Sequence, residues 1–185
     1  MSEKNDVANV STGAPKIGGY VFRSTTAKTL PTDATTALEA DFKTLGFISE
    51  DGVTNSNSPE SSDTKDWGGT TVLSVQTSRN DTWKFTLLES GNSETLKTVY
   101  GESNVTVGVD TISIAANNAD LEYAAFVFEM VMKGNIKKRI VLPCAKVTAV
   151  EDITYKKSDA IAYGVTLTCA PDENGNTHYE YISKK

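Results

Sequence analysis

The residues able to do chemistry are few in this chain, and they do not converge. His178 is the sole histidine. A nucleophilic Ser–His–Asp set needs an imidazole oriented by a third group, and nothing in the sequence aims such a group at His178. Its neighbours Thr177 and Tyr179 suggest an ordinary surface or edge position on a short strand. Gly13, Gly18 and Gly19 have the spacing of a phosphate loop, but no Lys-Ser/Thr pair follows them. The run Asp172-Glu173-Asn174-Gly175-Asn176 starts like a calcium loop. Thr177 then stands where such a loop needs Gly, and Ser183 where it needs Glu, so a β-turn is expected. Glu50-Asp51-Gly52 offers two carboxylates with no further ligands fixed. Lys133, Lys137, Lys138 and Arg139 form the one basic cluster, without the interleaved aromatics that stack bases. It is expected at a hairpin tip, in solvent or facing acidic residues of a neighbouring subunit. Cys144 and Cys169 read as two buried free thiols. These residues give no catalytic set, no cofactor site and no metal site, so the chain is expected not to be an enzyme.

The elements that would position these residues are those of one domain. The chain has 185 residues, of which 38% are apolar, a low share for a single globular core. Part of the chain must therefore be arms and loops. The net charge of −6 disfavours general nucleic-acid binding, because affinity for phosphates grows with the number neutralised by Lys and Arg. The first twelve residues have no apolar run of the secretory kind. No stretch approaches the roughly 18 apolar residues of a membrane helix, so membrane insertion is not expected.

Residues 1–19 read as a flexible N-terminal arm, and 20–185 as a single β-rich domain. Strands are expected from Tyr20, over Trp83 to Leu87, at Ile112 to Ile114, and in Thr177 to Ile182. Ile161 to Ala170 alternates strictly with period two and is the clearest strand. Phe126 to Met132 fits a strand or a helical face, with strand favoured and the Lys133-Gly134-Asn135 turn leading to a returning strand over 138–142. Two short helices are expected. One has Thr32 or Asp33 as N-cap and Leu38, Phe42 and Leu45 on its face. The other is capped by Asn92 or Ser93 and ends at Gly101. Residues 49–69 read as a long polar loop, with Trp67 unexpectedly at its far end. The sum is a mainly β chain, an antiparallel sandwich or barrel with one or two short helices.

Several stretches resemble the major tail, or tail-tube, proteins of long-tailed siphophages of Gram-positive bacteria. They include Gly13-Ala14-Pro15-Lys16, Gly19-Tyr20-Val21-Phe22, Leu30-Pro31-Thr32-Asp33-Ala34 and Leu45-Gly46-Phe47-Ile48-Ser49-Glu50-Asp51-Gly52-Val53. Trp67-Gly68-Gly69, Leu96 to Gly101, Lys138 to Pro143 and Gly175 to Ile182 extend the likeness over nearly the whole chain. The resemblance implies a β core flanked by a helix, hexameric rings stacked into a hollow tube, and passage of DNA through it. It implies as partners further copies of the chain, a tape-measure protein, a tip complex that starts the tube and a terminator that ends it. The place would be the virion tail, assembled in the host cytoplasm.

Assembly, not catalysis, is then the expected work, with Tyr20, Asn55, Pro59, Trp67, Gly68, Gly69, Tyr179 and Tyr181 as candidate self-association residues. Two roles for Trp67 stand side by side: an anchor in a neighbouring subunit, or a packing residue on its own domain. A different class is also open, a phage surface decoration or carbohydrate- or receptor-binding β-sandwich, which would expose an aromatic groove.

Overall fold

The computed structural model describes residues 5–183. The first four residues of the expected arm and the last two of the chain lie outside the described residues. The described residues form eleven strands: β1 Gly13–Pro15, β2 Val21–Ser24, β3 Lys43–Thr44, β4 Thr54–Lys65, β5 Thr71–Leu87, β6 Val105–Val107, β7 Ile112–Ile114, β8 Ala124–Met132, β9 Ile136–Val150, β10 Tyr163–Cys169 and β11 Tyr179–Ile182. One α-helix, α1, spans Ser93–Tyr100. The large sheet runs β3-β2-β8-β9-β10-β5-β4, with β1 also on β8 and β11 also on β9, while β6 and β7 pair separately. Every pairing is antiparallel. The fold is mainly antiparallel β, and its sheet is not closed.

The sheet curls because its inner face is wide and apolar. Trp83 of β5 stacks on Phe128 of β8 with ring centroids 5.5 Å apart, although β9 and β10 separate these strands in the sheet. Phe85, Leu87, Phe126, Leu142, Val165 and Leu167 fill the interior with them. Residues 43–48 cross the remaining gap between β2 and β5. They touch β5 through one bridge, Ile48 to Leu87, and do not seal it. A second, smaller cluster of Phe42, Ala125, Val127 and Val141 covers the outer face, with Leu30, Leu38, Tyr179 and Tyr181 packed against it. Both faces of β8 are therefore covered. Its run of apolar residues has no alternation for that reason, and this is the source of its helix-or-strand ambiguity.

Helix α1 forms as its sequence predicts. The Asn92 side chain accepts from the Glu94 N–H at 2.9 Å, satisfying one of the orphan donors of the first turn. Leu96 and Val99 are buried, and Gly101 N–H donates to Lys97 O at 2.9 Å. The second expected helix, with Leu38, Phe42 and Leu45 on one face, is absent. The Asp33 carboxylate takes the N–H and hydroxyl groups of both Thr35 and Thr36, a local alternative to helical bonding. Arg139 meanwhile takes the carbonyls of Asp33 and Thr36, at 2.7 and 2.8 Å, that a helix would use internally. Phe42 reaches the outer cluster from an irregular segment instead.

Three further expectations need correction. Within the expected N-terminal arm, Gly13–Pro15 pairs with Pro15 opposite Met130 and Gly13 opposite Met132, and Lys16 makes an ion pair with Glu129. The expected loop at 49–69 is mostly strand β4, because polar side chains on both faces hide a ladder that backbone pairing with β5 supplies. The basic cluster is not uniformly in solvent. Arg139 is buried against Glu129, and Lys138 pairs with Glu180 at 2.8 Å.

Candidate assembly surface

Strand β5 has two halves. From Asp81 to Leu87 it alternates buried and partly or fully exposed residues, as a core strand does; from Thr71 to Asn80 it is almost wholly exposed. Its partner β4 is exposed along nearly all of its length. The outer halves of the two strands thus make a two-stranded hairpin that leaves the body and, among the described residues, stays exposed on both faces. Cross-strand bonds hold it, with Arg79 Nε donating to Asn57 Oδ1 at 2.5 Å and Ser78 Oγ to Glu60 Oε2 at 2.8 Å. At the tip, Asp66 N–H donates to Thr70 O at 2.9 Å, and Thr70 N–H donates to Asp66 Oδ1 at 2.7 Å. Gly69 supplies the positive φ of +87° that this turn needs. Between these residues the Trp67 side chain is fully exposed, and Val72, Leu73 and Val75 are at least half exposed beside it.

The root of the hairpin is fixed by a buried carboxylate. Asp81 is 1% exposed. Its Oδ1 accepts from Asn55 Nδ2 at 2.8 Å, its Oδ2 accepts from Thr177 Oγ1 at 2.6 Å, and His178 Nδ1 lies 2.5 Å from that same Oδ2. Burial pushes this carboxyl up, but the bonds from Thr177, His178 and Asn55 and the nearby imidazole outweigh burial and hold it below the ordinary carboxylate range. His178 also meets the Trp83 ring edge-on at 5.4 Å. The histidine expected at an ordinary edge position therefore ties the C-terminal turn to the hairpin root.

Two other protrusions end in exposed apolar residues. Strands β6 and β7 carry Val107, Ile112 and Ile114, with Val109 fully exposed at their connection. Residues 16–20 loop out between β1 and β2. Lys16 N–H donates to Glu129 O at 3.3 Å, and Glu129 N–H donates to Tyr20 O at 2.8 Å. The loop leaves Ile17 in water.

Of the residues expected at a self-association surface, Asn55, Pro59, Trp67, Gly68 and Gly69 all fall on the hairpin, from root to tip. Tyr20 lies elsewhere, its hydroxyl accepting from Ile48 N–H at 3.0 Å. Tyr179 and Tyr181 are stacked on each other on the outer face, at 6.3 Å. Val72, Leu73, Val75, Ile17 and Val109 were not among the sequence candidates. An apolar residue inside a polar run was the available signal. Among the described residues, no group of three or more His, Cys, Asp or Glu is placed to hold a metal ion. Among the same residues, no helix is long and apolar enough to cross a membrane.

A projecting ladder with apolar tips is suited to joining copies. A family model described as phage tail tube protein matches residues 7–185. The chain belongs to the phage tail tube protein family. It is accordingly a structural component of a phage tail that assembles with itself and with other tail parts. No curated protein matches this tail tube chain. Among solved structures it is similar to the anti-feeding prophage cap, described as the AFP tube terminating cap, at 5% identity and a TM-score of 0.46. That match covers 95% of this chain and 96% of the other.

Proposed function

We propose that this tail tube protein forms hexameric rings that stack into the hollow tail of a siphophage of Gram-positive bacteria, the conduit for DNA into the host cell. A tape-measure protein would set the tube's length, a tip complex would start it and a terminator would end it. The β4–β5 hairpin is the observation that carries this reading. A lone two-stranded hairpin is marginal in water, and this one has solvent on both faces. A neighbouring copy completes it. Burying a Trp side chain removes roughly 150–250 Å² from water, or about 4–6 kcal/mol at about 25 cal/mol per Å². Ordering and association costs offset part of that gain, which favours growth from a nucleus over spontaneous polymerisation. The acidic balance of the chain suggests an inner wall that repels DNA; a tube with a basic bore would contradict it.

Negative-stain imaging with light scattering on concentrated protein tests the reading. The comparison protein has residues 59–79 replaced by an Asn-Gly turn, which joins the paired positions Ser58 and Asn80. Wild type is expected to form rings and tubes, and the trimmed protein to keep its folded body and lose stacking. Trp67→Ala is expected to impair tubes with a stability change within about 0.5 kcal/mol. Lost stability with normal assembly would place Trp67 on its own domain. Equal tubes from the trimmed chain would remove the hairpin from the account.

A further inference from the structure

The unclosed seam of the sheet leaves a groove of about 470 Å³. Its floor and walls are Tyr20, Val21, Ile48, Val53, Phe128 and Met130, with Ser49 and Glu50 at the rim. Pockets of roughly 300–1,000 Å³ suit drug-sized ligands, so an indole and the backbone beside it have room here. We propose that this groove receives the Trp67 tip of a second copy of the chain. The proposal rests on the tube reading above and gives its axial contact a specific receptor.

Three features select that occupant. The first is reach. Residues 48–53 run directly into β4, so the groove lies at the root of the hairpin whose tip carries Trp67. Strand β4 has 12 residues, which at about 3.3 Å each separate root from tip by about 40 Å. A tip so far from its own groove can reach only another copy's. Tip-to-root contact between identical chains is heterologous, and repeated without closure it builds an open stack.

The second is shape. Gly68 and Gly69 follow Trp67 and carry no side chains, so the backbone of the tip can approach the groove wall closely. The third is charge. Glu129, on the groove wall, is already paired with Lys16 and Arg139. Glu50 has no ionic partner among the described residues, so one unpaired negative charge stands at the rim. At the tip, the Asp66 carboxylate is turned back onto Thr70 N–H. Lys65, exposed, likewise has no ionic partner among the described residues, so two unpaired charges of opposite sign would meet.

Cysteine cross-linking tests the contact while keeping Trp67. Gly68 has a non-positive φ, and the nearest atom to an added Cβ there is Asp66 Oδ1 at 3.4 Å. Gly68→Cys and Glu50→Cys are made singly and together, and oxidised under assembly conditions; the single variants show any background from Cys144. The double variant is expected to give a reductant-sensitive ladder of covalent multimers. An equal mixture of the two single variants is expected to stop at dimers. Charge reversal gives a second reading. Lys65→Glu or Glu50→Lys should raise the concentration needed for assembly about 2- to 5-fold, and the two together should restore it. Tubes that form without cross-links and ignore the charge reversals would overturn the groove and leave the tube reading standing. Wild-type protein that yields no particles, together with a double variant that yields no cross-links, would overturn both.

Discussion

The pair most costly to break is Glu129 with Arg139, opposite each other on β8 and β9. Their side chains are 4% and 2% exposed. Arg139 Nε donates to Glu129 Oε1 at 2.9 Å and Nη2 donates to the same oxygen; Nη1 and Nη2 also hold the carbonyls of Asp33 and Thr36. Removing one member of a buried pair strands the other charge away from water, at about 3–5 kcal/mol. Glu129→Ala should lose that much, and Arg139→Ala less, because Lys16 still pairs with Glu129. In a chain of this size the Glu129→Ala loss means a midpoint lower by about 6–20 °C, at roughly 2–4 °C per kcal/mol. Glu129→Leu with Arg139→Met replaces the pair by apolar groups beside Val127 and Val141. It should cost about 1–2 kcal/mol, mostly from the lost bonds to the 33–36 turn. Denaturant unfolding of the unassembled protein measures all three against wild type. A double variant that loses the sum of the two single losses would show that the two charges act independently and refute the reasoning.

Asp81, Gly46 and Cys169 each set a measurable property of the folded body. Asp81 has its folded pKa below the unfolded value, so its contribution is complete above about pH 4 and is lost as pH falls through the folded value. Urea unfolding of Asp81→Asn from neutral to about pH 2.5 should show a shallower acid loss than wild type, and an unchanged slope would exclude Asp81 as its source. Gly46 has φ +78°, and an added Cβ would lie 2.0 Å from the carbon of the Glu89 carboxylate, whose oxygens accept from Phe47 N–H and Asn92 Nδ2. Gly46→Ala should cost about 1–3 kcal/mol in thermal unfolding, whereas Gly91→Ala, with open space around it, should be within about 0.5 kcal/mol. The Cys169 thiol is pushed up to about 12 by burial first, then by the Asp81 charge and Cys144. Native protein treated with iodoacetamide near neutral pH should leave Cys169 unmodified by mass spectrometry, and rapid labelling there would contradict its burial.

The sequence was readable where one local pattern met one environment. Strand β10 faces a core on one side, so period two survives in its residues, and α1 shows its cap, its buried stripe and its terminating glycine in order. Reading failed where the deciding partner is remote. Asp33 looked like a helix cap, but Arg139, 106 residues away, claims its carbonyl. Polar β4 looked like a loop because nothing in its own residues shows that β5 will pair with it. His178 gave no sign of Asp81, 97 residues earlier. The assembly surface was half visible: Trp67 stood out as an aromatic in a polar run. The groove was invisible, because its walls come from three separate parts of the chain.

The chain has two tryptophans, and the fold puts them in opposite settings. Trp83 is sealed between Phe128 and His178, while Trp67 stands in water at the end of the neighbouring turn. Intrinsic fluorescence therefore holds two separate signals. The Trp83 emission changes when the body unfolds, and that of Trp67 when a copy arrives. A Trp67→Phe protein reports folding alone, and its difference spectrum against wild type follows polymer growth in real time without any attached dye.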